Sequence, residues 1–247
     1  HPGEIVTLAK MAMPQHGLIC SIGAAHLEFF RDLRGVAEEK GDLLAMSALD
    51  GVAIIPVEAE GIDILRAHAA PRRIITFGAA AEADMRCEYL GQRKGGYGLA
   101  LTRRDNGERV ELTWHIGGEH QARNAAGAAA VGMIYGLSLA EVARGLQQCV
   151  LPDNRMAECE RQGIHWVNDA YNAGPDSMRA SITWFTDISR QVTTRILLLG
   201  DMLELGDHCE AAHRDLLRWV REKMPDARVI TVGPHMAAAA ATLGLEH

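Results

Sequence analysis

The chain has 247 residues, 48% hydrophobic and 23% charged, which is ordinary globular composition and room for one large or two ordinary domains. A formal net charge of −7 argues against a general nucleic-acid or anionic-membrane surface, and no apolar run approaches the roughly 18 residues needed to span a bilayer. The opening His1-Pro2-Gly3-Glu4 is not a secretion signal, and five scattered cysteines without a C-x-x-C pair read as reduced thiols of a cytoplasmic protein.

In chain order, apolar spacing predicts a helix over 4–13, stopped by Pro14. A short apolar run over 17–23 ends in glycine and suits a buried parallel strand. A helix over about 33–48, a strand over 52–56, a helix over 60–68 and a strand over 73–78 continue an α/β alternation. Between 84 and 116 the character changes. Segments 88–90, 97–102 and 109–114 are separated by Gly- and Asn-containing turns, so antiparallel strands are expected. An Ala- and Gly-rich helix follows over 122–135, with Gly136 placed for its C-terminal cap. Ser138 and Glu141 have the spacing of a capping box for the next helix.

Pro152-Asp153-Asn154 marks a boundary. Beyond it the pattern repeats as strand 164–170, helix 175–188, strand 195–200, helix 208–223, strand 228–233 and helix 235–243, a Rossmann-like three-layer arrangement. Ligands of such sheets sit at the carboxyl ends of strands, which here carry Asn168-Asp169, Gly200-Asp201 and Gly233.

Five strings carry chemistry. Gly23-Ala24-Ala25-His26-Leu27-Glu28 follows a buried strand, with Lys40-Gly41-Asp42 in the next helix. Gly118-Glu119-His120-Gln121-Ala122-Arg123-Asn124-Ala125 opens the Ala-rich helix. Leu151-Pro152-Asp153-Asn154-Arg155-Met156 lies at the boundary, and Asn168-Asp169-Ala170-Tyr171-Asn172-Ala173-Gly174-Pro175-Asp176-Ser177-Met178 follows a strand. Gly200-Asp201-Met202-Leu203-Glu204-Leu205-Gly206, with His213-Arg214 further on, is the fifth. Taken singly, each has a plain structural explanation: a loop histidine, a solvated lysine, an asparagine at a helix start, a charged loop after a strand. Cys209 and His213, four apart on one helix face, read as packing rather than metal ligation.

Together and in this order the strings resemble the Mur ligases, the ATP-driven family that builds the peptidoglycan stem peptide. The fourth and fifth resemble its D-alanyl-D-alanine-adding branch. The departures are single residues: Ala24 for Pro, Asn154 for Gly and Gly174 for Asn. The resemblance implies an α/β fold, with residues 1–151 forming part of a central ATP-binding domain of parallel sheet plus small antiparallel strands. Residues 152–247 would be a Rossmann-like C-terminal domain, expected to be truncated. It implies ATP and Mg2+ as cofactors, and UDP-N-acetylmuramoyl-tripeptide and D-alanyl-D-alanine as the partners joined by an amide bond.

On the same resemblance His26 and a carbamylated Lys40 serve magnesium, a hard cation that takes oxygen ligands. Asn124 would meet the adenine, whose edge matches an amide's donor and acceptor, and Asp169 the ribose or the magnesium shell. Arg155 would reach the γ-phosphate with a planar guanidinium. Tyr171 and Asn172 would lie against the nucleotide, and Asn172, Asp176, Ser177, Asp201 and Glu204 would form the dipeptide site. No G-x-x-x-x-G-K-[ST] phosphate loop occurs in the 247 residues. The sequence therefore reads as a piece of a longer protein, inactive by itself. Two alternatives remain: another Mur-like ligase, of the meso-diaminopimelate-adding or folylpolyglutamate type, and a non-catalytic nucleotide-binding module.

Overall fold

The continuous apolar run Val52–Pro56 needs cover on both sides, and the chain around it supplies two layers of helix. The computed structural model describes residues 1–24 and 27–244 and divides them into two compact units. One comprises His1–Gly23 and Phe30–Cys149, the other Ala24–Phe29 and Val150–His247.

In the first unit, helix α1 (Glu4–Ala12) leads to strand β1 (Gly17–Leu18), helix α2 (Leu33–Met46), β2 (Val52–Pro56), α3 (Ile62–Ala69) and β3 (Arg73–Gly78). Three longer strands follow, β4 (Met85–Arg93), β5 (Gly96–Arg103) and β6 (Arg109–Trp114), then α4 (Glu119–Ile134) and α5 (Leu139–Gln147). The strands form one sheet in the order β1-β2-β3-β4-β5-β6, parallel through β4 and antiparallel beyond it. The predicted change of character after residue 84 is thus a change of pairing direction within one sheet.

Alternate residues of β2 and β3 feed two cores. Ala53 and Ile55 pack with Ala37 and Leu44 of α2 and Ile64, Leu65 and Ala69 of α3. On the opposite side Phe77 lies against α4, where a Cβ on Gly127 would sit 3.3 Å from the ring. Small residues at Ala125, Ala126, Ala129 and Ala130 let that helix settle on the sheet, and all four are buried. Its end is closed by Gly136 at φ +76, and the next helix begins with the expected capping box at Ser138 and Glu141. The expected strand over 17–23 is shorter than the apolar run suggests. The ladder holds Gly17 and Leu18, and Ile19 adds one amide to the Ile54 carbonyl.

In the second unit, β7 (Ala157–Arg161) and β8 (Ile164–Asn168) form an antiparallel hairpin. Helix α6 (Pro175–Ile188), strand β9 (Ile196–Gly200), helix α7 (Cys209–Lys223), strand β10 (Arg228–Val232) and helix α8 (Pro234–Thr242) follow. Among the described residues of this unit, only β9 and β10 pair in parallel. The expected 164–170 strand does not continue that parallel series but pairs antiparallel with β7. Gln162 and Gly163 both take positive φ, 54° and 74°, the mirror-image two-residue turn that folds a strand back on its predecessor. Residues 157–161 carry no apolar period to announce the strand that this turn joins. Helices α6, α7 and α8 supply a core around Leu197, Leu199, Leu216, Leu217, Val220 and Met236. Among the described residues no helix is long and apolar enough to cross a membrane, and all five cysteines are free thiols.

Candidate functional site

The first unit places Lys40 on α2, which starts at Asp32, whose carboxylate accepts the Gly35 amide at 2.9 Å. The lysine is half-buried and its Nζ donates to the Ser21 carbonyl at 2.9 Å, just beyond β1. Burial holds its pKa below the ordinary lysine value, against a smaller opposing influence of Cys20. A lysine so placed has more neutral amine than a solvated one, and the neutral amine is the form that takes up CO2. The neighbouring Glu39 accepts the amides of Gly3 at 2.7 Å and Ile5 at 3.2 Å, so it ties the His1-Pro2-Gly3-Glu4-Ile5 string to the helix of Lys40. Sequence reasoning missed this carboxylate; its only signal was its position beside the lysine. Gly41 is required by crowding, since a Cβ there would lie 2.8 Å from the His68 ring.

Asn124 stands on the exposed surface of α4, and its amide donates to Gln121 at 3.1 Å. His26, the expected metal ligand, lies outside the described residues.

In the second unit two loops are stitched together. Asn168 donates to the Asn154 side chain at 2.8 Å, and the Tyr171 amide donates to the Asn154 carbonyl at 3.1 Å. Asp169 accepts the Met156 amide at 3.1 Å. Between these anchors the Arg155 guanidinium lies over the Tyr171 ring, 4.0 Å from its centroid. Asn154 takes φ +61 and Met156 +48, which explains why asparagine substitutes for glycine at 154: it tolerates the left-handed region better than other side chains. The fold therefore brings Arg155, Asp169 and Tyr171 into one pair of loops.

The expected dipeptide residues are placed differently. Asn172 accepts the Ala173 amide at 2.9 Å, and the Ser177 hydroxyl donates to Gly174 at 3.1 Å, closing the turn before α6. Asp176 accepts the Ala24 amide at 2.9 Å, and the Glu204 carbonyl accepts the Glu28 amide at 3.0 Å. Asp201 faces α8 instead, accepting His235 and Met236 amides at 3.2 and 2.7 Å. The expectation that the loops after 170 and 200 flank one crevice of a shared parallel sheet fails, because β8 belongs to the hairpin and not to the β9–β10 sheet. His213, read from sequence as packing, is fully buried and accepts the Met202 amide at 2.9 Å.

Comparison with known proteins agrees with this fold. The Mur ligase middle domain matches residues 1–132, and the Mur ligase glutamate ligase domain matches residues 154–246. The UDP-N-acetylmuramoyl-tripeptide--D-alanyl-D-alanine ligase of Haemophilus influenzae is 31% identical over 222 residues, covering 89% of this chain and 47% of that protein. The enzyme of the same name from Bacillus subtilis is 31% identical over 216 residues, covering 86% and 45%. A crystal structure of MurF from Acinetobacter baumannii superposes with a TM-score of 0.87 at 29% identity, over 97% of this chain and 51% of that one. The chain thus spans about half the length of the curated relatives it matches. With one family model covering more than half of the residues and a second covering most of the rest, the chain belongs to the Mur ligase family.

Proposed function

We propose that the natural gene product carrying this chain is an ATP-dependent ligase of the cytoplasm that joins D-alanyl-D-alanine to UDP-N-acetylmuramoyl-tripeptide. The observation that carries this reading is the stitched pair of loops, 154–156 and 168–172. It holds the Arg155 cation of the boundary string beside the Tyr171 ring of a string that resembles the dipeptide-adding branch. The two bacterial relatives, both UDP-N-acetylmuramoyl-tripeptide--D-alanyl-D-alanine ligases by name, support the same substrates.

In this reading residues 1–151 belong to the ATP-binding domain and 152–247 to the ligase domain. Asn124 and Asp169 address the nucleoside, with Tyr171 and Asn172 beside it, and Arg155 addresses the γ-phosphate. The substrate carboxylate takes the γ-phosphoryl group and ADP leaves. The dipeptide amine then attacks the acyl carbon, the carbon–oxygen bond to phosphate breaks, and the amine gives up its proton. Arg155 offsets negative charge on the transferring group. Asn172, Asp176, Ser177 and Glu204 shape the dipeptide site through the loops they close, and Asp201 does so by fixing α8.

Magnesium would offset phosphate charge. Among the described residues no three His, Cys, Asp or Glu side chains gather as a metal site. The donors assigned to it are Lys40 as its carbamate, which converts a cation into an oxygen pair, and His26. The lowered pKa of Lys40 fits that modification.

The test is phosphate release by the natural gene product with tripeptide nucleotide, ATP and one amine at a time. Release that requires all three and prefers D-alanyl-D-alanine is expected. Preference for meso-diaminopimelate or glutamate overturns the assignment.

A further inference from the structure

The 200–206 loop leaves the sheet at Gly200 and is held by anchors on both flanks. Asp201 turns back to the first turn of α8 and accepts two of its amides. That contact also explains Gly233: a Cβ there would lie 2.5 Å from the Asp201 carboxyl carbon. Met202 and Leu205 are buried at 0% and 2% exposure. Between them lie Leu203, with 68% of its surface exposed, and Glu204, an exposed residue at φ +59. The loop thus carries its tip on a rigid frame.

The Glu204 carbonyl accepts the Glu28 amide at 3.0 Å. A further anchor is His213, which lies wholly inside the unit on α7. Its Nδ1 lies 2.7 Å from the Cys209 carbonyl, which can only accept, so Nδ1 carries the proton. Its Nε2 is then the acceptor for the Met202 amide at 2.9 Å. The Cys209 thiol lies 3.7 Å from Nδ1 and the His235 ring lies tilted against the imidazole at 5.5 Å between centroids, so neighbours on both sides hold it. The Asp201 carboxylate stands 4.0 Å from Nε2, outside hydrogen-bond range and already engaged by α8. A leucine would fill much of the same space, but it would leave the buried Met202 amide without an acceptor.

We propose that His213 is a positioning residue for the acceptor amine: it holds the Met202 amide, and so sets the Leu203–Glu204 tip in the geometry that binds a zwitterionic dipeptide. The proposal rests on the functional reading above, in which this loop serves the dipeptide. It takes no part in proton transfer, because both ring nitrogens are committed to main-chain groups.

The test compares His213→Leu, which has no acceptor, with His213→Gln, whose Oε1 reaches the Nε2 position. Both are made in the natural gene product, with D-alanyl-D-alanine, tripeptide nucleotide and ATP varied separately. His213→Leu is expected to raise the KM for dipeptide about tenfold, with kcat and the KM for ATP changed by no more than about twofold. His213→Gln is expected to return the dipeptide KM to within about threefold of wild type. An unchanged dipeptide KM in His213→Leu overturns the proposal, as does an equal rise in both KM values or a folded His213→Gln as impaired as the leucine variant. Should His213→Leu not fold, His213→Gln and the ring's own long-range ¹H–¹⁵N spectrum decide. A protonated Nδ1 with near-normal dipeptide KM supports the proposal, and a protonated Nε2 overturns it. If the wild-type enzyme uses a different amine, the functional reading falls by itself, while the KM shift for that amine still tests His213.

Discussion

Strands β2 and β9 look alike in sequence, Val-Ala-Ile-Ile-Pro against Ile-Leu-Leu-Leu-Gly, yet they live in different surroundings. All five residues of β2 are buried, between the α2–α3 core and the α4 side of its sheet. In β9 burial alternates: Leu197 and Leu199 face α6, α7 and α8, while Ile196 and Leu198 are exposed at 45% and 57%. An apolar run therefore records that both faces of a strand suit burial, and the packing partners decide whether both are buried. The same contrast extends to chemistry. The first unit alters the chemistry of Lys40 by burying it, whereas the second displays Arg155 and Tyr171 on exposed loops held by main-chain bonds.

The largest effect that tests this contrast is on stability. Ile55→Ala removes a side chain with no exposed surface and is expected to cost about 2–5 kcal/mol in denaturant unfolding. Leu198→Ala removes atoms already in contact with solvent and is expected to cost less than about 1 kcal/mol. Equal losses would break the comparison, since they would mean that the outer face of β9 is covered in solution.

A smaller effect concerns pH. The folded state disfavours protonated Lys40, so its folded pKa lies below that of the unfolded chain. Between the two values the unfolded chain binds the extra proton, and the stability from this group rises with pH across that window. Lys40→Met should remove this part of the alkaline slope and leave the acid limb unchanged. The same lysine should take up ¹³C-bicarbonate at a lower pH than the exposed Lys10 or Lys94. A wild-type slope retained in Lys40→Met would show that burial does not control this amine.

Much of this was legible in the sequence because it is locally encoded. Strands β2 and β3 fall on the predicted 52–56 and 73–78, and the Ser138–Glu141 box forms as its spacing requires. The hairpin β7–β8 was missed because β7 is exposed throughout and has no apolar period, although the Gln162-Gly163 turn could have signalled it. The strings single out Lys40, Arg155, Asp169 and Tyr171, but they do not say which partners their neighbours choose. Asp201 and Asp176 are drawn to main-chain amides, and those amides come from segments 34 and 152 residues away. A carboxylate's partner is settled by which unsatisfied N–H groups the fold brings near, and spacing along the chain does not encode that.

The smallest effect is the sharpest probe of the exposed half of the comparison. Arg155 stacks on Tyr171 at 4.0 Å, but the ring is 63% exposed, so solvent screens the attraction. A coupling of about 0.5–1 kcal/mol is expected from a double-mutant cycle of Arg155→Ala and Tyr171→Ala in urea unfolding. The two loops are also joined by the Tyr171 amide, the Asn154–Asn168 side chains and Asp169, none of which the two substitutions remove. Tyr171→Phe keeps the ring face and should retain most of the coupling, whereas Tyr171→Leu should lose it. If the stack serves to aim the guanidinium at a phosphate, Tyr171→Leu in the natural gene product should raise the KM for ATP more than it lowers stability. A coupling near zero, with an unchanged KM for ATP, would show that the stitched main chain alone sets the position of Arg155.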